Sequence, residues 1–280
     1  MNQVELLQNW IVFAFELGLC VFVFARGAQR LLPFFAAYAS VILVCAFSVG
    51  FVYEHFGFRS AASYYAYWTE ALLNLVARSL AIAELCRYGL RAYRGIWTLV
   101  WQILSVLTLL FLAHAALDAW GQPNRLAIYG LTLERDLDFA SIAILLVLLI
   151  IRNYYGLTLE PLQRTIALGM CFFCAVDVIN NTILRDLYTG FLFSWFSTSH
   201  AAVWPALKPQ IERVNDLYGV IRLSAFMISM SIWCYALRKP LPAPAESPVL
   251  LPAEVYSDLS SAMNMRLRAF NDRLLEMLKP

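Results

Sequence analysis

Long runs of apolar residues, separated by short polar segments, occupy most of this chain. A membrane-crossing helix needs roughly 20 mostly apolar residues, because the hydrocarbon core is about 30 Å thick. Seven runs qualify: Trp10–Ala25, extended upstream by Leu6 and Leu7, and residues 31–53, 62–86, 95–117, 131–151, 162–184 and 214–237. The runs are too long for barrel strands and lack their two-residue alternation. The pattern predicts an all-α polytopic membrane bundle of seven transmembrane helices.

Composition supports a membrane location. The 280 residues are 61% hydrophobic and 14% charged, whereas soluble domains are about 45–50% apolar and about 25% charged. These figures exclude a soluble globular domain, a disordered chain and a disulfide scaffold. A net charge of +2 gives no basic surface for nucleic acid. We expect a multi-pass protein of the bacterial inner membrane, with its first run retained as a span because no basic residues precede it.

Arginine and lysine in the connections predict the orientation, since cytoplasmic loops carry an excess of both. The connections after the first, third, fifth and seventh runs contain Arg26, Arg30, Arg87, Arg91, Arg94, Arg152, Arg164, Arg238 and Lys239. Those on the other side contain Arg59, Arg125, Arg135, Arg185, Lys208 and Arg213, the last three in one longer connection. The bias predicts an N-terminus outside and a C-terminus in the cytoplasm.

The chain changes character after Lys239. Residues 1–239 form the predicted membrane domain, and residues 240–252 are a proline-rich, extended linker. Residues 253–280 predict an amphipathic helix, whose apolar stripe is Val255, Leu259, Met263, Leu267, Phe270, Leu274 and Leu278. Such a stripe needs a partner, so we expect contact with another subunit or a second copy of the chain. The membrane surface is the alternative.

Ionisable side chains inside spans are costly and usually mark an internal site. Glu70, Asn74 and Arg78 are spaced by four and share one helix face, and Glu134 and Asp138 lie one turn apart in the fifth run. We predict an outward-facing polar pocket lined by Glu16, Tyr67, Glu70, Asn74, Arg78, Asp177, Asn180 and Arg222. The alternative is purely structural: Glu16 or Glu70 pairs with Arg222, and Asp177 pairs with Arg78.

The sequence contains no recognisable catalytic or metal-binding motif. His55, His114 and His200 all fall on the predicted outer side, where a metal or haem site is conceivable, but their spacing matches no known ligand motif. No lysine lies within a predicted span, which excludes a retinal Schiff base. We therefore predict a protein that is not an enzyme and has no metal site; no cofactor is indicated.

Several short motifs resemble those of an uncharacterised group of bacterial seven-span membrane proteins. They are Pro33-Phe34-Phe35 with Tyr38, Tyr64-Tyr65-Ala66-Tyr67-Trp68 with Glu70, Leu133-Glu134-Arg135, and the tail stretch from Leu267 to Asn271 with Leu274. The resemblance implies the seven-span layout and a cytoplasmic tail. It marks Tyr65, Trp68, Glu70, Glu134 and Arg135 as typical of the group, and it implies no activity.

Two functions fit these observations equally well. The first is a small-ligand-binding or sensory protein that signals through the tail helix to a separate chain. The second is a non-catalytic subunit of a larger membrane complex. A small-solute or proton transporter is less favoured, because the two halves show no internal repeat and no matching broken spans.

Overall fold

The computed structural model describes residues 3–57, 60–90, 94–121, 125–155, 160–197, 204–238, 265, 268–273 and 276–277. Within these ranges the chain forms helices and no β-strand. The helices are α1 (Gln3–Ala25), α2 (Pro33–Phe56), α3 (Ala61–Gly89), α4 (Arg94–Asp118), α5 (Arg125–Tyr155), α6 (Pro161–Ser197) and α7 (Trp204–Leu237), with a 3-10 helix at Ala28–Arg30. Each apolar run in the sequence is therefore a helix, which confirms the all-α prediction.

Four helices contain segments long and apolar enough to cross a membrane. These segments are Pro33–Phe56, Gly95–Asp118, Pro161–Ile183 and Leu217–Leu237, and α1 contributes a shorter apolar part, Trp10–Ala25. Helices α3 and α5 are 29 and 31 residues long, so both are long enough to cross a membrane. They are less apolar because they contain several of the charged residues that meet inside the bundle.

Six helices form a closed ring, and the seventh packs outside it. Helix α1 packs on α2, α2 on α3, α3 on α5, α5 on α6, α6 on α7, and α7 back on α1. Helix α4 packs mainly on α5, and none of its apolar window is buried. The interior of the ring is therefore lined by α1, α2, α3, α5, α6 and α7.

The main apolar core fills one end of this ring, where α1, α3, α5 and α7 end and α2 and α6 begin. The Trp233 ring is fully buried there and makes edge-to-face contacts with Phe35 and Tyr38 at centroid distances of 5.6 and 6.0 Å. Its indole N–H donates to the Ile166 carbonyl at 3.2 Å. A Cβ at Gly169 would lie 2.5 Å from the Trp233 Nε1 atom. Glycine is thus required for the close approach of α6 and α7.

Polar side chains cap two helices of the ring. Glu84, near the end of α3, accepts hydrogen bonds from the backbone N–H groups of Phe34 at 3.2 Å and Phe35 at 3.0 Å. These donors have no partner within α2, and the carboxylate also interacts favourably with the helix dipole. The Ser60 side chain accepts from the Ser63 N–H at 3.1 Å and starts α3.

The sequence also places the aromatic segment 188–204 on the predicted outer side, as a lid over a cavity or a short interfacial helix. Residues 188–197 instead continue α6 without a break in the backbone, so they form neither a separate lid nor a separate helix. These ten residues include no proline, so none of them lacks the backbone N–H that the helix needs. Residues 198–203 lie outside the described residues.

Part of the tail contacts the bundle through one asparagine. The Asn271 Oδ1 atom accepts hydrogen bonds from the N–H groups of Gly95 at 2.8 Å and Ile96 at 3.4 Å, at the start of α4. Of the predicted apolar stripe, Phe270 is described and is half exposed. The other stripe residues and the linker 240–252 lie outside the described residues.

Candidate functional site

Five charged side chains from four helices meet inside the ring. We call Arg78 on α3, Glu134 and Asp138 on α5, Asp177 on α6 and Arg222 on α7 the charge cluster. The Arg78 Nη2 atom lies 2.8 Å from an Asp138 Oδ atom and 3.5 Å from a Glu134 Oε atom, and Nη1 lies 3.2 Å from an Asp177 Oδ atom. Arg222 lies 2.5 Å from Glu134 and 3.4 Å from Asp177. Among the described ion pairs, Glu134 and Asp177 each bind both arginines, whereas Asp138 binds Arg78 alone.

Burial makes these ion pairs strongly interdependent. Asp177 is 0% exposed, Asp138 1% and Arg78 4%, while the Arg222 side chain is 24% exposed. A buried ion pair costs much of its Coulombic gain in desolvation, but removal of one partner leaves an uncompensated charge in a medium of low dielectric constant. The cluster therefore constrains the relative positions of α3, α5, α6 and α7.

Neutral polar groups satisfy several of the remaining hydrogen-bonding atoms. Asn181 donates to the Glu134 carboxylate at 3.1 Å and accepts from the Tyr218 hydroxyl at 2.8 Å. Arg222 donates to the same hydroxyl at 3.2 Å. Asn180 donates to the Tyr218 carbonyl at 3.1 Å. These bonds join α5, α6 and α7 in one network.

Helix α6 adds two less polar contacts. The Arg78 guanidinium carbon lies 4.9 Å from the centre of the Phe173 ring, a cation–π distance. The buried Cys174 thiol is within electrostatic range of Asp138 and Arg78.

The charge cluster contains three carboxylates and two guanidiniums, so one negative charge remains. Oxygen atoms of Glu134, Asp138 and Asp177 lie within 4.8 Å of one another, a spacing that could hold a metal ion. Both guanidiniums already contact these same carboxylates. Arginine therefore neutralises most of the charge that a metal ion would otherwise balance.

A second polar group lies beside the first and has a different composition. We call Glu16 on α1 with Glu70 and Asn74 on α3 the acceptor cluster. Glu16 is 5% exposed and within electrostatic range of Glu70. The Asn74 amide donates to the Glu70 carboxylate over a long 3.5 Å. Among the described residues, the buried Glu16 Oε2 and Asn74 Oδ1 atoms have no hydrogen-bond partner.

The eight pocket residues predicted from the sequence are divided between these two groups. Arg78, Asp177 and Arg222 belong to the charge cluster, and Asn180 supports it through Tyr218. Glu16, Glu70 and Asn74 form the acceptor cluster. Tyr67 is within electrostatic range of Glu70, Arg222 and Glu134, so it lies between the two groups.

The predicted ion pairs are partly correct. Arg78 does pair with Asp177. Arg222 does not form an ion pair with Glu16 or Glu70 among the described contacts. It pairs with Glu134 and Asp177 instead, because α7 packs on α6 rather than on α3. Arg222 remains within electrostatic range of Glu70.

Sequence reasoning left four important residues out of the candidate pocket. Glu134 and Asp138 carry three of the five ion pairs at the cluster, and Asn181 and Tyr218 connect it to α6 and α7. The four-residue spacing of Glu134 and Asp138 was the available signal. Both lie at the start of the apolar run 131–151.

The described histidines have separate partners. The His114 Nδ1 atom lies 2.6 Å from Asp136, which also pairs with Arg135 at 2.8 Å. His55 Nδ1 lies 3.2 Å from the Phe51 carbonyl, and its ring stacks on Phe51. No described histidine belongs to a group with metal-binding spacing. His200 lies outside the described residues.

Two crevices lie away from both polar groups. One of about 490 Å³ follows a single face of α7 from Ser224 to Tyr235. The other, of about 290 Å³, lies between α4, α5 and α6 and is lined by Phe111, Arg135, Asp136, Phe139, Val178 and Thr182. The first is almost entirely apolar, as expected of a lipid-facing surface.

No protein-family model matches the sequence, and neither a curated protein nor a solved structure is similar to it. The function is therefore argued from the geometry alone.

Proposed function

We propose that the chain is a seven-helix integral protein of the bacterial inner membrane that binds or senses a small ligand in an outward-facing polar pocket. Four helices with segments long and apolar enough to span support the membrane location. Helices α1, α3 and α5 form the ring together with α2, α6 and α7, and Arg78, Glu134 and Asp138 of α3 and α5 are buried rather than exposed to lipid. The arginine-rich connections after α1, α3, α5 and α7 favour an external N-terminus and a cytoplasmic C-terminus.

The observation that carries this proposal is the acceptor cluster. A buried carboxylate oxygen without a hydrogen-bond partner, such as Glu16 Oε2, is unfavourable in a protein interior, and the unpartnered Asn74 Oδ1 atom adds to the cost. In the proposed orientation Glu16, Glu70 and Asn74 lie in the outer half of the bilayer. A ligand that supplies positive charge or hydrogen-bond donors would remove this cost.

The charge cluster offers a route from such a pocket to the helices. Arg222 is within electrostatic range of Glu70 and forms ion pairs with Glu134 and Asp177. A cationic ligand at Glu70 repels Arg222 and thereby changes the ion pairs that Arg222 forms with Glu134 and Asp177. Because Glu134 and Asp177 also bind Arg78, the change extends to α3, α5, α6 and α7, and the cytoplasmic tail could pass it to a partner chain.

Cysteine accessibility tests the outward-facing pocket. A membrane-impermeant maleimide should label Glu70→Cys in intact cells above the background of the unsubstituted protein. The matched control is Arg87→Cys on the same helix, exposed near its other end, which should be labelled only after permeabilisation. The reverse pattern contradicts the orientation, and no labelling of Glu70→Cys from either side contradicts an open pocket.

A non-catalytic subunit of a larger complex is the second candidate, favoured by the surfaces left uncovered. Helix α4 packs mainly on α5 and exposes Trp101, Leu109 and Leu117, and Phe270 of the tail is half exposed. A partner subunit or second copy, bound through the tail helix, would cover such a surface. Purification in mild detergent followed by native mass measurement tests this: a stable monomer contradicts it.

A further inference from the structure

We propose that the crevice between α4, α5 and α6 binds a membrane phospholipid through its phosphate group. The volume of this crevice is about 290 Å³, whereas small-molecule sites are usually about 300–1,000 Å³. The crevice therefore accommodates part of a lipid, and the rest of the lipid remains in the bilayer. The inference concerns a different part of the molecule from the outward-facing pocket and does not depend on it.

The packing of the helices explains why the crevice is open to lipid. Helices α4 and α6 both pack on α5, but they make few contacts with each other within the described residues. The surface of α5 that lies between them is therefore left uncovered. Phe139, which belongs to this surface, is 66% exposed. A lipid in the crevice would cover this surface and connect α4 to the ring.

The residues that line the crevice lie at two levels along the helices. His114 on α4 contacts Asp136 on α5, which aligns these two helices at the polar level. Asn181 on α6 contacts Glu134 on α5 and aligns α6 at the same level. One turn closer to the middle of the bundle, the three helices contribute only apolar lining residues, which are Phe111, Phe139 and Val178. A crevice that is polar at one end and apolar at the other fits an amphiphile.

The polar level lies close to the end of the apolar segments. His114 lies one turn before the end of the segment Gly95–Asp118, and Thr182 is next to the last residue of Pro161–Ile183. Lipid headgroups begin where the hydrocarbon core ends, and acyl chains fill the core at the apolar level. The crevice therefore has the same order of polar and apolar parts as a phospholipid in the surrounding bilayer.

Arg135 supplies hydrogen-bond donors for the phosphate. Its Nε and Nη2 atoms both donate to one oxygen of Asp136, at 3.0 and 2.8 Å, and His114 Nδ1 lies 2.6 Å from the other oxygen. A guanidinium has five N–H donors, of which these bonds use two, so three have no partner among the described hydrogen bonds. The Asp136 carboxylate already accepts at both oxygens. The crevice thus offers donors rather than acceptors.

This surplus of donors favours phosphate as the bound group. The planar guanidinium of arginine matches the geometry of phosphate oxygens, and basic pockets between membrane helices bind lipid headgroups. Arg135 and Asp136 carry opposite charges, so the pair repels neither a zwitterionic nor an anionic lipid. The phosphate that both kinds of phospholipid contain is therefore the group that the crevice recognises.

Native mass spectrometry of the full-length protein in detergent tests the proposal. A phospholipid of defined acyl chains is compared with a fatty acid of the same chain length and with inorganic phosphate. We expect one phospholipid to remain bound, with a lower Kd than either of the other two. The fatty acid tests recognition of the phosphate, and inorganic phosphate tests the contribution of the apolar level.

Arg135→Gln should weaken phospholipid binding about tenfold or more, because hydrogen bonds between charged groups are lost. The matched control is Arg125→Gln, which neutralises an exposed arginine of the same helix outside the crevice lining. This control should bind the phospholipid as the unsubstituted protein does.

Phe139→Ala tests the apolar level and keeps the experiment decisive if Arg135→Gln does not fold. It should weaken phospholipid binding about threefold or more, because it removes apolar surface from the wall of the crevice. Its control is Phe47→Ala on α2, since the Phe47 side chain is also 66% exposed.

Several results would overturn the proposal. Equal binding by Arg135→Gln and the unsubstituted protein would show that the lipid does not use the crevice. A fatty acid that binds as tightly as the phospholipid refutes recognition of the phosphate, and inorganic phosphate that binds as tightly refutes the apolar contact. A similar loss in Arg125→Gln or Phe47→Ala would mean that lipid binds to the surface in general rather than at this site.

Discussion

The two polar groups inside this bundle are adjacent and contain the same residue types, yet they are satisfied to different degrees. In the charge cluster every ionised side chain contacts at least one of opposite sign, and the Asn181 amide donates to the Glu134 carboxylate. The Asp138 and Asp177 Oδ1 atoms have no hydrogen-bond partner among the described residues, but each lies within ion-pair distance of an arginine. In the acceptor cluster Glu16 and Glu70 are within electrostatic range of each other and form no ion pair among the described contacts. Buried charge alone therefore does not identify a binding site; buried charge that the protein leaves uncompensated does.

The difference also assigns different roles to the two groups. The charge cluster joins four helices and its removal should affect folding. No described hydrogen bond or ion pair of the acceptor cluster joins two helices, so its neutralisation should leave folding intact.

Loss of Arg78 should produce the largest effect. Arg78→Ala leaves Glu134, Asp138 and Asp177 with a single cation, and breaking a buried ion pair in this way costs about 3–5 kcal/mol. We expect little folded protein in the membrane fraction, measured by yield and by the monodisperse fraction in detergent. Arg87→Ala, an exposed position on the same helix, serves as the control. Normal yield of Arg78→Ala would show that the cluster is dispensable.

Double-mutant cycles should separate the partners of Arg222. Arg222→Gln and Glu134→Gln remove the two ends of a 2.5 Å contact, so their combined effect on stability should differ from the sum by about 1–3 kcal/mol. The same cycle with Glu70→Gln should be nearer to additive, because Glu70 interacts with Arg222 only at longer range. Thermal unfolding of the four proteins in each cycle gives the coupling. Stronger coupling of Arg222 to Glu70 than to Glu134 would show that Glu70 is the main partner of Arg222.

Within the charge cluster the three carboxylates should not be equivalent. Asp138→Asn should cost less than Asp177→Asn, by about 1 kcal/mol or more, because Asp138 binds one arginine and Asp177 binds both. The measurement is the difference in unfolding free energy between the two variants. A larger cost for Asp138→Asn would show that stability does not follow the number of ion pairs that each carboxylate makes.

The sequence predicted the helices well and their contacts poorly, and α5 shows why. Its apolar run begins at residue 131, but the helix begins at Arg125, so Glu134 lies more than two turns inside it rather than near its end. Likewise α6 continues to Ser197 beyond its apolar run, which puts Asp177 near the middle of the helix. Apolar composition determines which segment spans lipid, whereas a helix continues for as long as its backbone hydrogen bonds do.

Which charged residues form ion pairs depends on the order of the helices around the ring. The periodicity of the sequence does not reveal that order. A four-residue spacing places Glu70, Asn74 and Arg78 on one face of α3, and the structure agrees. It does not reveal that α5 rather than α4 packs beside that face. The Arg78–Asp177 ion pair was among the predicted alternatives. The Arg222–Glu134 ion pair was not predicted.

The smallest effect is expected from substitution of Asn271. This substitution measures how much a buried hydrogen bond between uncharged groups contributes to the stability of the protein. Asn271→Ala removes the acceptor for the Gly95 and Ile96 N–H groups at the start of α4, and loss of such a cap costs about 0.5–2 kcal/mol. We expect a modest fall in Tm and faster proteolysis of the tail. Arg273→Ala, at an exposed position of the same helix, is the control and should match the unsubstituted protein. If Asn271→Ala were as damaging as Arg78→Ala, docking of the tail, and not the charge cluster, would be the principal constraint on the bundle.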